Sequence, residues 1–235
     1  MATTKNAIVL CSGGLDSVVT AHYVKKSLDY KNLVIMFFDY GQKSLSAERK
    51  ASKKCASDLG AEFMEVKLSW LKGISTSLIN NPGKVKKLSR EDLKDTSEES
   101  EKYYVPCRNS LFITYALALA DSYYIKSGKK EKYDIFLGFK CEGKESYPDT
   151  TEKFVKEMNR LSSIGCSEHF KVIAPLIKKD KEDIVLLGKK LGVELEKTFS
   201  CYVGKWVHCG GCLACKLRQE GFYWSGLVDS TKYIE

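Results

Sequence analysis

No stretch of this chain approaches the roughly eighteen consecutive apolar residues that a membrane-spanning helix needs, and no segment repeats another. The opening Met1-Ala2-Thr3-Thr4-Lys5 leads straight into a strand pattern without the apolar core of a secretory signal, so a cytoplasmic protein with no membrane contact is expected. The GxxxxGK that precedes Ser or Thr in Walker-type loops is absent, as is the GxGxxG of dinucleotide folds, which removes two common phosphate-binding loops. No Ser/His/Asp or Cys/His arrangement suggests a protein nucleophile.

The 235 residues allow one substantial core, or one domain with an appendage. A hydrophobic content of 43% and a charged content of 29% are those of a soluble globular protein. The net charge of +8 is interleaved with acids, as in Lys178-Lys179-Asp180-Lys181-Glu182-Asp183, the pattern of a solvated face. A basic surface would equally suit polyanionic ATP. Of nine cysteines, five are scattered and four crowd into one C-terminal stretch, which points to metal rather than to a disulfide framework.

Strand patterns at 7–10, 32–38, 62–66, 133–137 and 171–174 alternate with helical patterns at 16–27, 46–59, 109–127, 151–163 and 181–191. Repeated strand-helix units predict an α/β fold, a Rossmann-like parallel sheet with helices on both faces and ligands at the carboxyl ends of the strands. Residues 1–195 would form this domain and 196–235 a small C-terminal zinc-binding segment. Within the domain, 80–103 carries Asn81-Pro82-Gly83, Arg90-Glu91-Asp92 and Ser97-Glu98-Glu99-Ser100-Glu101. With few apolar residues to offset chain ordering it is expected to be a mobile insertion, either an active-site lid or a tolerated loop.

Ser12-Gly13-Gly14-Leu15-Asp16-Ser17 follows the first strand and opens the first helix. At such a junction free N–H groups carry the positive end of the helix dipole, and glycines let the backbone approach an anion closely. Ser12 and Ser17 add hydroxyl donors, and Asp16 beside a phosphate makes sense with a bridging Mg2+. The plain alternative is a serine-capped turn. Cys201, Cys209, Cys212 and Cys215 have the spacing C-x7-C-x2-C-x2-C, which closes a tetrahedral structural zinc site. His208 is an alternative ligand, and an iron–sulfur cluster competes, although the ferredoxin spacing with its Cys-Pro is not matched.

Four further segments fall at strand or helix ends. Arg108 and Asn109 precede an apolar helix and would present a guanidinium and an amide to an anionic substrate; the alternative is an N-cap beside a surface charge. Gly138-Phe139-Lys140 and Tyr147-Pro148-Asp149 lie on the ligand side of the sheet. Lys181, after Ala174-Pro175-Leu176-Ile177, would neutralise phosphate charge or else be solvated.

The Ser12 loop resembles the SGGxDS loop of the ATP pyrophosphatases, the PP-loop or N-type enzymes, which implies cleavage of ATP between its α and β phosphates. In chain order, SGGLDS, DYGQ with Glu48, VPCRN, GF, YPD, APL with Lys181, and Thr198-Phe199-Ser200-Cys201 running into CGGC-x2-C-x-LR-x2-GF resemble the QueC family of 7-cyano-7-deazaguanine synthases over essentially the whole chain. That resemblance implies an adenine nucleotide α-hydrolase-like fold, with ATP and Mg2+ held by Leu10, Ser12, Gly13, Gly14, Leu15, Asp16, Ser17, Phe38 and Gln42. It implies catalytic roles for Asp16, Ser17 and Lys181, and substrate binding by Arg108, Asn109, Gly138, Phe139, Tyr147 and Asp149. It also implies structural zinc on the four cysteines, a homodimer as the assembly, and small-molecule substrates: ATP, ammonia and 7-carboxy-7-deazaguanine, whose carboxylate is adenylated, converted to the amide and dehydrated to the nitrile.

Some positions depart from the family's pattern: Thr150-Thr151 replace Cys-Arg, Gly143 and Ser146 replace Asp and Gly, Lys140 replaces Asn, and DYGQ continues Lys43-Ser44 rather than Arg-His. They motivate a second reading, a relative that stops at the amide or joins the activated acid to another amine such as a protein N-terminus. A tRNA-thiolating ATP pyrophosphatase would explain the basic charge but needs an RNA-binding region for which the chain has no room. A zinc-knuckle nucleic-acid-binding protein leaves SGGLDS unexplained.

Overall fold

The computed structural model describes residues 5–140 and 147–234; Gly143 and Ser146 lie outside the described residues. Five strands, β1 (Asn6–Leu10), β2 (Asn32–Asp39), β3 (Glu62–Lys67), β4 (Tyr133–Leu137) and β5 (Val172–Ile173), form one parallel sheet in the order β3-β2-β1-β4-β5. The central strands are nearly continuous apolar runs because a parallel sheet is covered on both faces. Ile8 pairs with Val34 and Ile135, and Val9 with Ile35 and Phe136. The two rows face opposite ways, since strand side chains alternate.

Eight helices surround the sheet among the described residues: α1 (Leu15–Lys26), α2 (Leu45–Asp58), α3 (Leu71–Ile74), α4 (Ser97–Glu101), α5 (Arg108–Lys126), α6 (Glu152–Gly165), α7 (Lys181–Lys190) and α8 (Leu213–Ser225). Ile8, Val34, Met36 and Ile135 pack with Ile113, Ala116, Leu117 and Ala120 of α5 on one face. On the other, Val9, Ile35 and Phe136 meet Val18 and Val19 of α1 and Ile184 and Val185 of α7. Each fully buried side chain of this kind stabilises the fold by about 1.5–3 kcal/mol relative to exposure. No helix among the described residues is long and apolar enough to cross a membrane.

The predicted elements form within a residue or two of their expected ends, which for β5 leaves only two residues. Pro175 follows Ala174 and has no N–H to continue the ladder. Thr151, one of the departures, accepts the Phe154 N–H at 3.1 Å and so caps α6. The 80–103 stretch contains the short α4 and a turn of 3-10 helix at Glu91–Lys94. It nevertheless buries Leu88 and Tyr103 in the α5-side core, and Leu88 N–H donates to Gly211 O at 3.0 Å.

Candidate active site at the carboxyl edge of the sheet

A cavity of about 300 Å³ opens where β1, β2 and β4 end, at the small end of the range for small-molecule sites. Its floor is the loop between β1 and α1. Gly13 has φ +83°, and a Cβ there would stand 2.5 Å from Glu48 O and 2.8 Å from the Ala51 Cβ, so only glycine lets the loop lie on α2. Gly14 starts α1 in an extended conformation, and no side chain caps the helix. The first-turn N–H groups are therefore left without a side-chain acceptor, which is the geometry that binds phosphate. Ser17 Oγ donates to Gly14 O at 3.0 Å and lies 3.3 Å from Ser12 Oγ, so both hydroxyls sit at the loop mouth.

Lys181, from the first turn of α7, reaches across 165 residues of sequence to both carboxylate oxygens of Asp16, at 2.9 and 2.7 Å. The pair is mostly shielded from solvent, with side-chain exposures of 15% and 25%. Gly221 of α8 makes this reach possible, since any Cβ there would collide with the Lys181 side chain. The lysine that sequence alone left between phosphate contact and solvation thus points into the cavity.

On the opposite wall Arg108 opens α5. Its guanidinium donates to Tyr40 Oη and to Asn109 Oδ1, each at 3.3 Å, and lies over the rings of Tyr40 and Phe112 at 5.5 and 6.0 Å. Burial pushes the Tyr40 hydroxyl up to about 12, so it remains a neutral acceptor for the arginine. Its hydrogen-bond partners are neutral, the Asp149 carboxylate acts on its charge from nearby, and a guanidinium on the cavity wall can take an anionic ligand. Glu48 also borders the cavity, its carboxylate accepting bonds from Ser44 and Gln42. Burial raises its pKa, partly offset by these two bonds.

Most of the expected site residues meet here. Leu10, Ser12, Gly14, Leu15, Asp16, Ser17 and Phe38 line the cavity on the loop side, and Arg108, Asn109, Gly138, Phe139, Tyr147 and Lys181 line the rest. Gly138 packs directly on the loop, since its Cβ would fall 2.6 Å from Ser17 Cα. Three residues do not reach the cavity wall. Gly13 is covered by α2. Gln42 uses its whole amide internally, accepting the Tyr40 N–H and donating to Phe38 O and Glu48. Asp149 accepts the Asn109 N–H at 3.2 Å, a carboxylate at the N-terminus of α5, where the helix dipole favours it.

The four cysteine sulfurs lie within 4.8 Å of one another, with Cys201–Cys212 at 3.9 Å and Cys209–Cys215 at 4.0 Å. Zn–S bonds of about 2.3 Å in a tetrahedron place sulfurs close to 3.8 Å apart, so the set fits zinc. Backbone N–H groups of Gly204 and Cys209 donate to Cys201 Sγ, and that of Cys212 donates to Cys209 Sγ, bonds that favour thiolates. His208 is not part of the cluster: its Nε2 accepts the Ser200 N–H at 3.0 Å, and burial lowers its pKa to about 4.

Sequence reasoning did not foresee that the C-terminal segment forms a wall of the cavity, with Phe199, Ser200, Tyr202, Leu213 and Arg218. The LR of CGGC-x2-C-x-LR was visible as a motif but carried no hint of contact with a loop two hundred residues earlier. Phe199 N–H donates to Gly13 O at 2.8 Å, joining the two ends of the chain.

A parallel α/β sheet whose first strand ends in an uncapped Gly-Gly helix start, with a lysine and an arginine lining the same cavity, defines a phosphate-binding α/β fold. The chain matches the family described as "Queuosine biosynthesis protein QueC" over residues 6–226. It is 35% identical over 240 residues to the 7-cyano-7-deazaguanine synthase of Methanopyrus kandleri, covering 100% of both chains. To the enzyme of that name from Methanothermobacter thermautotrophicus it is 33% identical over 230 residues, 97% of this chain and 99% of the other. A solved NMN synthetase from Francisella tularensis superimposes with a TM-score of 0.42 at 14% identity, over 97% of this chain and 80% of that one. The chain belongs to the QueC family.

Proposed function

We propose that this chain is an ATP-dependent carbon–nitrogen ligase, a 7-cyano-7-deazaguanine synthase acting in queuosine biosynthesis, as the names of its full-length relatives suggest. The observation that carries the reading is the shared cavity in which an uncapped phosphate loop faces Arg108. Arg108 would hold the carboxylate of 7-carboxy-7-deazaguanine while the N–H groups of Gly14 to Ser17 hold the ATP phosphates. One carboxylate oxygen then attacks the α-phosphorus, and the α–β bond breaks to release pyrophosphate. Ammonia adds to the acyl carbon and AMP leaves with the oxygen, giving the amide. In a second round the amide oxygen attacks another α-phosphorus, and loss of AMP and a proton leaves the nitrile.

No residue need form a covalent bond; the chain positions two oxygens and offsets developing charge. Asp16, a carboxylate that lines the cavity and whose two oxygens meet Lys181, would hold Mg2+, which when bound would offset the negative charge of the phosphates. Lys181, released from Asp16, would then turn to the α-phosphate. Zinc on the four cysteines would hold the C-terminal wall. The residues that complete the proposed ATP and substrate contacts are those of the cavity, with Gly13, Gln42 and Asp149 acting from behind it. We assign the activity to the cytoplasm, with a homodimer as the assembly and 1–195 and 196–235 as the two parts of the chain.

Purified protein with ATP, Mg2+, ammonia and the acid should yield two AMP and two pyrophosphate per product, and the product mass should be that of the nitrile. No AMP with that acid, from folded and zinc-containing protein, refutes the reading. A product with the mass of the amide or of an amine conjugate refutes the nitrile in favour of the QueC-like alternatives.

A further inference from the structure

We propose that Arg218 is a positioning residue for the nucleotide loop, through which the four-cysteine segment controls ATP binding; the inference rests on the ATP-dependent function above. Arg218 lies three residues beyond Cys215 and is 1% exposed. Its Nε donates to Asp229 Oδ2 at 3.3 Å, Nη1 to Thr198 Oγ1 at 2.7 Å and Ser200 Oγ at 3.3 Å, and Nη2 to Leu195 O and Thr231 Oγ1 at 2.8 Å each. An arginine has five N–H donors, so this one has none left for a ligand although it borders the cavity. Asp229 balances its charge. Its effect on ATP is therefore geometric rather than electrostatic.

What Arg218 holds is the 198–200 turn. Phe199, between its two hydroxyl partners, donates its N–H to Gly13 O at 2.8 Å. A trans peptide is planar with C=O and N–H on opposite sides. Fixing Gly13 O toward Phe199 therefore turns the Gly14 N–H the other way, to the side where Ser12 Oγ accepts it at 3.3 Å and where phosphate would bind. From below, Gly13 rests on α2, with the Glu48 carbonyl directly beneath it. The loop is thus held in a clamp. One jaw is α2, anchored on the sheet; the other is the 198–200 turn, anchored by Arg218, by the Ser200 N–H to His208 Nε2 bond at 3.0 Å, and by Cys201 in the sulfur cluster.

Linkage makes the coupling reciprocal: if the cluster orders the loop for ATP, ATP must retain the metal by the same factor. The test uses the zinc-loaded chain and three readouts: MgATP affinity by calorimetry, affinity for 7-carboxy-7-deazaguanine, and zinc affinity by equilibrium competition with a chelator, with and without MgATP. Arg218→Lys removes the planar fork, and Thr198→Val removes its shortest partner, while Thr198→Ser restores it. The expected result is ATP binding weakened at least about tenfold by Arg218→Lys and Thr198→Val, near-normal binding by Thr198→Ser, and unchanged affinity for the acid. MgATP should tighten zinc binding in the wild type and not in Arg218→Lys. If Arg218→Lys does not fold, the Thr198 pair decides. ATP affinity within twofold of wild type in Thr198→Val, or a parallel loss of affinity for the acid, overturns the clamp alone. A wild-type chain that does not bind MgATP overturns both the clamp and the proposed function.

Discussion

Replacing Gly138 by alanine tests whether the end of β4 sets the height of the phosphate loop. The added Cβ would stand 2.6 Å from Ser17 Cα, 2.8 Å from Ser17 N and 3.0 Å from Ser17 Cβ, whereas ordinary contacts begin at 3.4 Å. The nearest atoms are backbone in the first turn of α1, so no rotamer change relieves the clash, and β4 is flanked on both sides by paired strands. Closing the gap from 2.6 to 3.4 Å needs a displacement of 0.8 Å between Ser17 and the strand end. Overpacking of this kind costs about 1–3 kcal/mol, which in a domain of this size lowers the melting temperature by roughly 2–12 °C. The larger effect falls on chemistry, because a shift near 1 Å at a positioning site lowers rates by about 100-fold. Urea unfolding would measure the first effect and pyrophosphate release under saturating substrates the second. A Gly138→Ala protein whose turnover stays within threefold of wild type would show that the loop does not depend on this contact.

Separable roles for the two ends of the chain make a second prediction: Asp16→Asn should reduce AMP formation by at least about 100-fold with zinc retained at one per chain, whereas Cys212→Ser should lose zinc first, and metal analysis beside AMP assays distinguishes them. Stability should also depend on pH through His22, which is buried in α1 with neither ring nitrogen hydrogen-bonded and whose pKa burial lowers from 6.5 to about 4. A depressed base is neutral in the folded state and takes up its proton more readily when unfolded. Its contribution is therefore complete above pH 6.5 and is lost as the pH falls toward about 4, a loss on the order of 3 kcal/mol. His22→Leu should flatten that part of the stability profile in denaturant titrations, and an unchanged slope would remove His22 as its cause.

Much of the frame was legible in the sequence because its signals are local. The continuous apolar run of 7–10 and the helical pattern that follows already imply a buried parallel strand feeding a helix, and Gly13-Gly14 between them implies a close-approach turn. Cysteine spacing announced a metal cluster, and the sulfurs do converge. Less legible were residues whose type suggested a ligand but whose partners proved internal. Gln42 bonds within the β2–α2 turn, and Asp149 caps α5. An amide or carboxylate in a motif reads the same whether it faces a ligand or the backbone behind it.

The sequence by itself determined the element order, the glycine turn after the first strand and which four cysteines cluster, since each follows from chain neighbours a few residues apart. Only the tertiary structure decided that Lys181 meets Asp16, that Arg108 shares their cavity, and that Phe199 closes on Gly13. Those contacts join residues up to 186 positions apart in the chain numbering. They depend on how α7 and α8 seat against the sheet, which is set by the packing of whole faces. Gly221, whose missing side chain lets Lys181 through, is the smallest example. Its reason lies in the helix opposite, not in its own neighbours.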